Sequence, residues 1–120
     1  MRDSTGEVMV YNVLTDAGLP FQEEYEFPDL VVGKDATPLR FDFAVFNDDG
    51  SLDFLIEYNG MQHYRPVKQY GGISGLRRQQ FNDAEKRKYC ARNGYTLVVI
   101  PYWQQAKIDY DFIMRAAGYY

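Results

Sequence analysis

RFDFAVFNDDGSLDFLIEYNGMQH, running from Arg40 to His63, decides how the rest of the chain is read. Leu39–Phe46 and Leu52–Asn59 predict two strands, and Asn47-Asp48-Asp49-Gly50 between them is a turn signal, so the stretch reads as a β-hairpin. Asp42 and Glu57 interrupt strands that are otherwise apolar. An ionised carboxylate among core residues is unfavourable unless a cation or hydrogen bonds compensate it. Side chains alternate faces along a strand, so the turn length decides whether the two acids meet. A four-residue turn, Asn47–Gly50, would pair Phe46 with Ser51 and set Asp42 opposite Leu55. Glu57 then lies one diagonal step from Asp42 on the same face, roughly 7–8 Å away. A turn of odd length would part them.

Two facing carboxylates repel and raise one pKa, a conflict that a hard cation such as Mg²⁺ resolves. His63, the one histidine of the chain, follows Gly60 shortly after the second strand. A histidine can take or give a proton near neutral pH. The three residues together suggest a divalent-metal site for cleaving phosphodiesters. Two solvent-facing acids and a surface or core histidine are the plainer alternative.

Outward from the hairpin, Gly6–Ala17 predicts a helix, with Val10, Val13, Leu14 and Ala17 at helical spacing and Gly18 as its stop. Ser4 or Thr5 could cap it, and Glu7 suits the positive end of its dipole. Phe21–Phe27 alternates aromatic and polar residues as a strand that Pro28 should end. The stretch Gly71-Gly72-Ile73-Ser74-Gly75 predicts a flexible loop, followed by a helix over Leu76–Asn93 and a stop at Gly94. On that helix Asp83, Lys86, Arg87 and Cys90 share a face. Thr96–Ile100 is a continuous apolar run, the pattern of a central strand buried on both faces, and Pro101 closes it. Asp109 caps a last helix through Ala117. The order α-β-β-β-α-β-α implies an α/β fold, one mixed four-stranded sheet flanked by helices.

The 120 residues suit one domain, 1–120, with a single core. The net charge of −4 is unevenly spread. Arg65, Lys68, Arg77, Arg78, Lys86, Arg87, Lys88 and Arg92 face only Asp83 and Glu85 in their segment. Such a segment could track a phosphate backbone, or could be a solvated helix face. Cys90 is alone, which excludes an intrachain disulfide and fits a reducing cytoplasm. No apolar run has transmembrane length, and MRDSTGEVM lacks the apolar stretch of a signal peptide. Tyr102, Trp103, Tyr110, Tyr119 and Tyr120 make the C-terminal part strongly aromatic, either as a homodimer interface or as a cover over the sheet edge or core.

Read in order, FDFAVF, LIEYNGMQHYRPV, YGG and RQQFNDAEKRKYCARNGYTLVVIPY resemble the small phage-type endonucleases of the PD-(D/E)XK superfamily. These are related to very-short-patch repair endonucleases and to homing endonucleases with an EDxHD signature. The resemblance runs from about Gly6 to Tyr102. It implies a restriction-endonuclease-like core in a phage-encoded or bacterial intracellular protein that cuts DNA with Mg²⁺ or Mn²⁺. By the same resemblance, Asp42, Glu57 and Glu7 bind metal, His63 transfers a proton, and Asp83 is the acid of the next helix. Lys86 would sit near the scissile phosphate. Arg65, Lys68, Arg77, Arg78 and Arg87 are the expected phosphate contacts. The chain departs from the pattern at Asn59, where the superfamily has lysine, and at Arg40-Phe41, where Pro-Asp would be expected. Asn59 also suits the alternative of a nuclease-fold module that binds nucleic acid or a protein partner without cutting.

Overall fold

A computed structural model describes residues 4–120, so the first three residues of the N-terminal stretch lie outside it. The elements run α1 (Thr5–Asp16), β1 (Phe21–Val32), β2 (Thr37–Phe46), β3 (Leu52–Asn59), α2 (Gly72–Asn93), β4 (Thr96–Pro101) and α3 (Tyr110–Ala116). Short 3-10 turns cover Met61–His63, Lys68–Tyr70 and Tyr102–Lys107. The strands form one sheet in the order β1-β2-β3-β4. β1, β2 and β3 are antiparallel in turn, and β4 runs parallel to β3, as the α2 crossover requires. The α/β class and the mixed four-stranded sheet are as the periodicity implies. Among the described residues, no helix is long and apolar enough to cross a membrane.

Each face of the sheet carries its own core. On one, Val10 and Leu14 of α1 and Ile113 and Met114 of α3 pack with Phe43, Val45, Phe54 and Ile56. On the other, Tyr89 and Cys90 of α2 pack with Leu39, Phe41, Ala44 and Leu55. The strand buried on both faces is β3, whose residues from Phe54 to Tyr58 are all buried. The apolar run Thr96–Ile100 is not central, contrary to its pattern: β4 pairs with β3 alone. Val98 and Ile100 are buried while Val99 is 40% exposed. A fully apolar run therefore marks an edge here, because β4 has a neighbour on one side only.

Two further expectations are corrected. Pro28 does not end β1, which continues to Val32 across a register shift between Glu26 and Val31. β1 is an edge strand, where a missing N–H is tolerated. Gly72–Gly75 is not a flexible loop but the first turn of α2. A Cβ on Gly75 would lie 1.8 Å from the Tyr70 carbonyl oxygen, so glycine is needed there for close backbone packing.

The hairpin register holds an unforeseen compensation. Phe46 pairs with Leu52, not Ser51, so five residues separate the strands, an odd count that would put Asp42 and Glu57 on opposite faces. Val45, however, pairs with Phe54, leaving Asp53 as an extra residue in β3. The bulge restores the parity that the turn removes. From there Ala44 faces Leu55 and Phe43 faces Ile56, and the next step brings Asp42 to Glu57.

Candidate metal and proton-transfer site

The side-chain alternation of β2 inverts at Asp42. Phe43 and Val45 belong to the α1 core, yet Phe41 and Leu39 belong to the α2 core. β1 inverts alongside it: Phe21 packs on the α1 side and Tyr25 and Phe27 on the α2 side. Between them Glu24 has φ 52°, a left-handed conformation uncommon outside glycine. The β2–β3 ladder ends at the same level, and its orphaned amides find carboxylates instead. The Asp42 N–H donates to Glu57 Oε1 at 2.9 Å, and the Tyr58 N–H donates to Asp42 Oδ2 at 2.7 Å. Buried N–H groups without partners are unfavourable, so the two acids hold the splayed strands in this shape.

α1 supplies the next acid. Ser4 caps the helix, its Oγ accepting the Glu7 N–H at 3.1 Å and donating to Glu7 Oε1 at 3.3 Å. Gly6 lets the helix approach β3 closely, since a Cβ there would lie 2.1 Å from the Tyr58 ring. Glu7, Glu24 and Asp42 each offer an oxygen, and these atoms all lie within 4.8 Å of one another. Three carboxylates in that space are a donor set suited to a hard divalent cation. Glu24 was not legible in this role, and Glu57, expected among the metal ligands, lies outside this trio. Its second oxygen accepts from Lys86 Nζ at 3.0 Å in a buried ion pair.

Burial pushes the Asp42 carboxyl up to about 7, reinforced by the neighbouring Glu57 and opposed by the Tyr58 N–H and Lys86. Burial also raises Glu57, against the pull of the Lys86 ammonium. The two acids thus share one nearby compensating cation, Lys86, and Asp42 is the less well supplied. The Lys86 Nζ also lies 5.6 Å from the centre of the Phe41 ring.

His63 is buried at the end of the Met61–His63 turn, and its Nδ1 lies 2.8 Å from Asp83 Oδ2. An ionised carboxylate only accepts, so the proton of this bond resides on Nδ1, and neutral His63 keeps its lone pair on Nε2. Gln79 Nε2 donates to Asp83 Oδ1 at 3.1 Å and holds the aspartate from its other side. Glu7, Asp42, Glu57, His63, Gln79 and Lys86 all line one cleft of about 320 Å³. Asp83 stands behind His63, while Glu24 completes the acidic trio from β1.

The expected phosphate contacts Arg65, Lys68, Arg77, Arg78 and Arg87 are all exposed, whereas Lys86 is buried. Arg78 lines a second cleft beside the first. Asn59 is 7% exposed; its Nδ2 donates to the Tyr64 hydroxyl at 3.4 Å, while its buried Oδ1 has no partner among the described residues. Of the C-terminal aromatics, Tyr102 packs against the core while Trp103, Tyr110, Tyr119 and Tyr120 are exposed. The Tyr119 hydroxyl donates to Asp53, the bulge residue.

The chain is similar to two viral proteins over less than half of its length. It is 43% identical over 54 residues to Uncharacterized protein 094L of Frog virus 3 (isolate Goorha), 43% of this chain and 35% of that protein. It is 40% identical over 52 residues to Uncharacterized protein 307L of Invertebrate iridescent virus 6, 42% of this chain and 26% of that protein. The matched stretch thus spans about a third and about a quarter of those proteins. No protein-family profile and no solved structure matches the chain.

Proposed function

We propose that this chain is a metal-dependent endonuclease domain that hydrolyses phosphodiester bonds in DNA, with a restriction-endonuclease-like core. The observation that carries the reading is the meeting, in and around one cleft, of a carboxylate trio and a histidine held by an aspartate. The sequence resemblance to PD-(D/E)XK endonucleases supports it from a separate direction. Glu7, Glu24 and Asp42 would hold Mg²⁺ or Mn²⁺, which when bound polarises the phosphate and lowers the pKa of water. His63 takes the proton of the attacking water on Nε2 while Asp83 stabilises the imidazolium that forms. The water oxygen bonds to phosphorus, a P–O ester bond breaks, and the leaving oxygen recovers a proton from solvent. Glu57 fixes the Asp42 backbone, and Lys86, paired with Glu57, places a cation beneath the phosphate. Arg65, Lys68, Arg77, Arg78 and Arg87 supply phosphate contacts around it.

Incubation with supercoiled plasmid in Mg²⁺ or Mn²⁺ tests the reading. Wild type should nick or linearise DNA, EDTA should stop it, and Asp42→Ala and His63→Ala should each be inactive. Equal inertness of all three proteins across both metals and across duplex, nicked and single-stranded DNA would remove the assignment. Asn59 at the superfamily's lysine position favours a second reading, a module of this fold that grips nucleic acid or a protein without cutting. Retained DNA binding with no metal-dependent stabilisation would identify it.

A further inference from the structure

Beside the carboxylate cleft lies a second one, of about 550 Å³, with a different chemistry. Its lining side chains include Gln62, Gln69, Tyr70, Arg78, Gln79 and Asn82, and no carboxylate. Gln62, Tyr70 and Gln79 line both clefts, so the two are continuous. The wall between the Lys68–Tyr70 turn and α2 is built by the close passage of Gly75 beneath the Tyr70 carbonyl. Arg78 lies over this turn, its Nη2 3.5 Å from the position a Cβ on Gly71 would take. Among the described residues, no carboxylate forms an ion pair with Arg78.

We propose that this amide-lined cleft seats a purine base next to the cleaved bond, a specificity subsite that rests on the nuclease reading above. Without a carboxylate, and with Arg78 on its wall, the cleft lacks the negative charge that would favour a metal or a cationic peptide. Amide side chains present a donor beside an acceptor, matching the N7-bearing edge of a purine, and a guanidinium matches a phosphate or the same edge of guanine. Asn82 and Gln69 bond the base edge, Arg78 holds its phosphate, and the Tyr70 ring bounds the cleft. Gln79 connects the subsite to chemistry, because its Nε2 already fixes Asp83, the partner of His63. A base that engages Gln79 would therefore be sensed by a residue two hydrogen bonds, through Asp83, from the proton-transferring histidine.

The test is a duplex library randomised around a central region, with wild type, Asn82→Leu, Gln69→Leu and Asn82→Gln compared. In one arm the library is cut in Mg²⁺ and the new ends sequenced. In the other it is bound in EDTA, separated on a native gel and sequenced. Wild type should show a purine preference of roughly tenfold at one position flanking the cut. Both leucine variants should flatten it, and Asn82→Gln should restore part of it. Cutting without that preference, or with a preference both leucine variants retain, overturns the subsite and leaves the nuclease reading standing. Purine enrichment in the bound pool without any cutting, lost in the leucine variants, keeps the cleft as a purine seat and overturns the nuclease reading together with the subsite's place beside a cleaved bond. Neither cutting nor binding overturns both.

Discussion

Lys86 Nζ lies 3.0 Å from Glu57 Oε2, joining the middle of α2 to the central strand through a buried ion pair. Removing one partner of such a pair leaves the other charge buried and uncompensated, which is destabilising by roughly 3–5 kcal/mol. Lys86→Met should lower stability by that order in urea unfolding, and Glu57→Gln in the Lys86→Met background should recover part of it. A Lys86→Met variant as stable as wild type would show that the pair is not holding the helix to the sheet.

Asp42 gives a pH dependence of definite sign. Its carboxyl is raised from 3.8 to about 7 in the folded chain, so the native state binds its proton more tightly than the unfolded chain does. The stability it contributes is present in full below about 4 and is lost as pH rises through about 7, with a slope of up to about 1.4 kcal/mol per pH unit. Measured in EDTA, the stability of wild type relative to Asp42→Asn should fall between pH 4 and pH 7. A difference that stays flat or rises over that window contradicts the environment described for Asp42.

Metal binding should separate Glu24 from Glu57. At Mn²⁺ concentrations well above its dissociation constant, wild type should gain stability, about 2.7 kcal/mol at a hundredfold excess over Kd. Glu24→Gln should reduce this gain as strongly as Asp42→Asn, and Glu57→Gln should reduce it less. The reverse ranking, by thermal shift or calorimetry, would restore Glu57 as a ligand and dismiss Glu24.

For the proton-transfer pair, Asp83→Asn removes the negative charge and turns one of the two acceptor oxygens, used by His63 and Gln79, into a donor amide. Turnover of DNA should drop by about 10²–10⁴-fold, the range for general acid–base groups. DNA affinity in EDTA should be unchanged. Equal losses of affinity and turnover would mean that Asp83 shapes the surface and does not orient the histidine.

Gly6→Ala probes the seat of α1. A methyl group 2.1 Å from the Tyr58 ring must displace the ring or the helix, at a cost of about 1–3 kcal/mol. Because Glu7 follows directly, Mn²⁺ binding should weaken together with stability. Stability lost without any change in Mn²⁺ affinity would detach Glu7 from the metal group.

Local patterns carried much of this architecture. Apolar spacing located α1, the stop at Gly94 and the cap at Asp109 marked α2 and α3, and the hairpin strand Leu52–Asn59 has the bounds expected of it. Asp109 caps α3 as its side chain suggested, accepting the Phe112 N–H at 2.8 Å. What periodicity could not carry was sheet position and phase. The run Thr96–Ile100 is equally apolar at an edge or a centre, since strand order depends on contacts remote in sequence. Glu24 looked like one of several solvent-facing acids in an alternating strand. Its place beside Asp42 follows from a joint inversion of β1 and β2 that involves a positive φ, which no side-chain pattern announces. Asp42, His63 and Asp83 were visible because their residue types are unusual where they stand; Gln79 and Gln62 were not, because amides are common on surfaces.

The extra residue at Asp53 makes the hairpin a two-part counter. Five turn residues and one bulged residue together keep Asp42 and Glu57 in phase. A single insertion or deletion in the turn alone would invert that phase and bury the wrong side chains, leaving the acids on opposite faces. The same change matched by loss of the bulge would preserve it. Turn length in relatives of this chain is therefore free to vary by two, or by one with a compensating change at the bulge. An engineered loop grafted between Phe46 and Phe54 must respect the sum of the two and neither part separately.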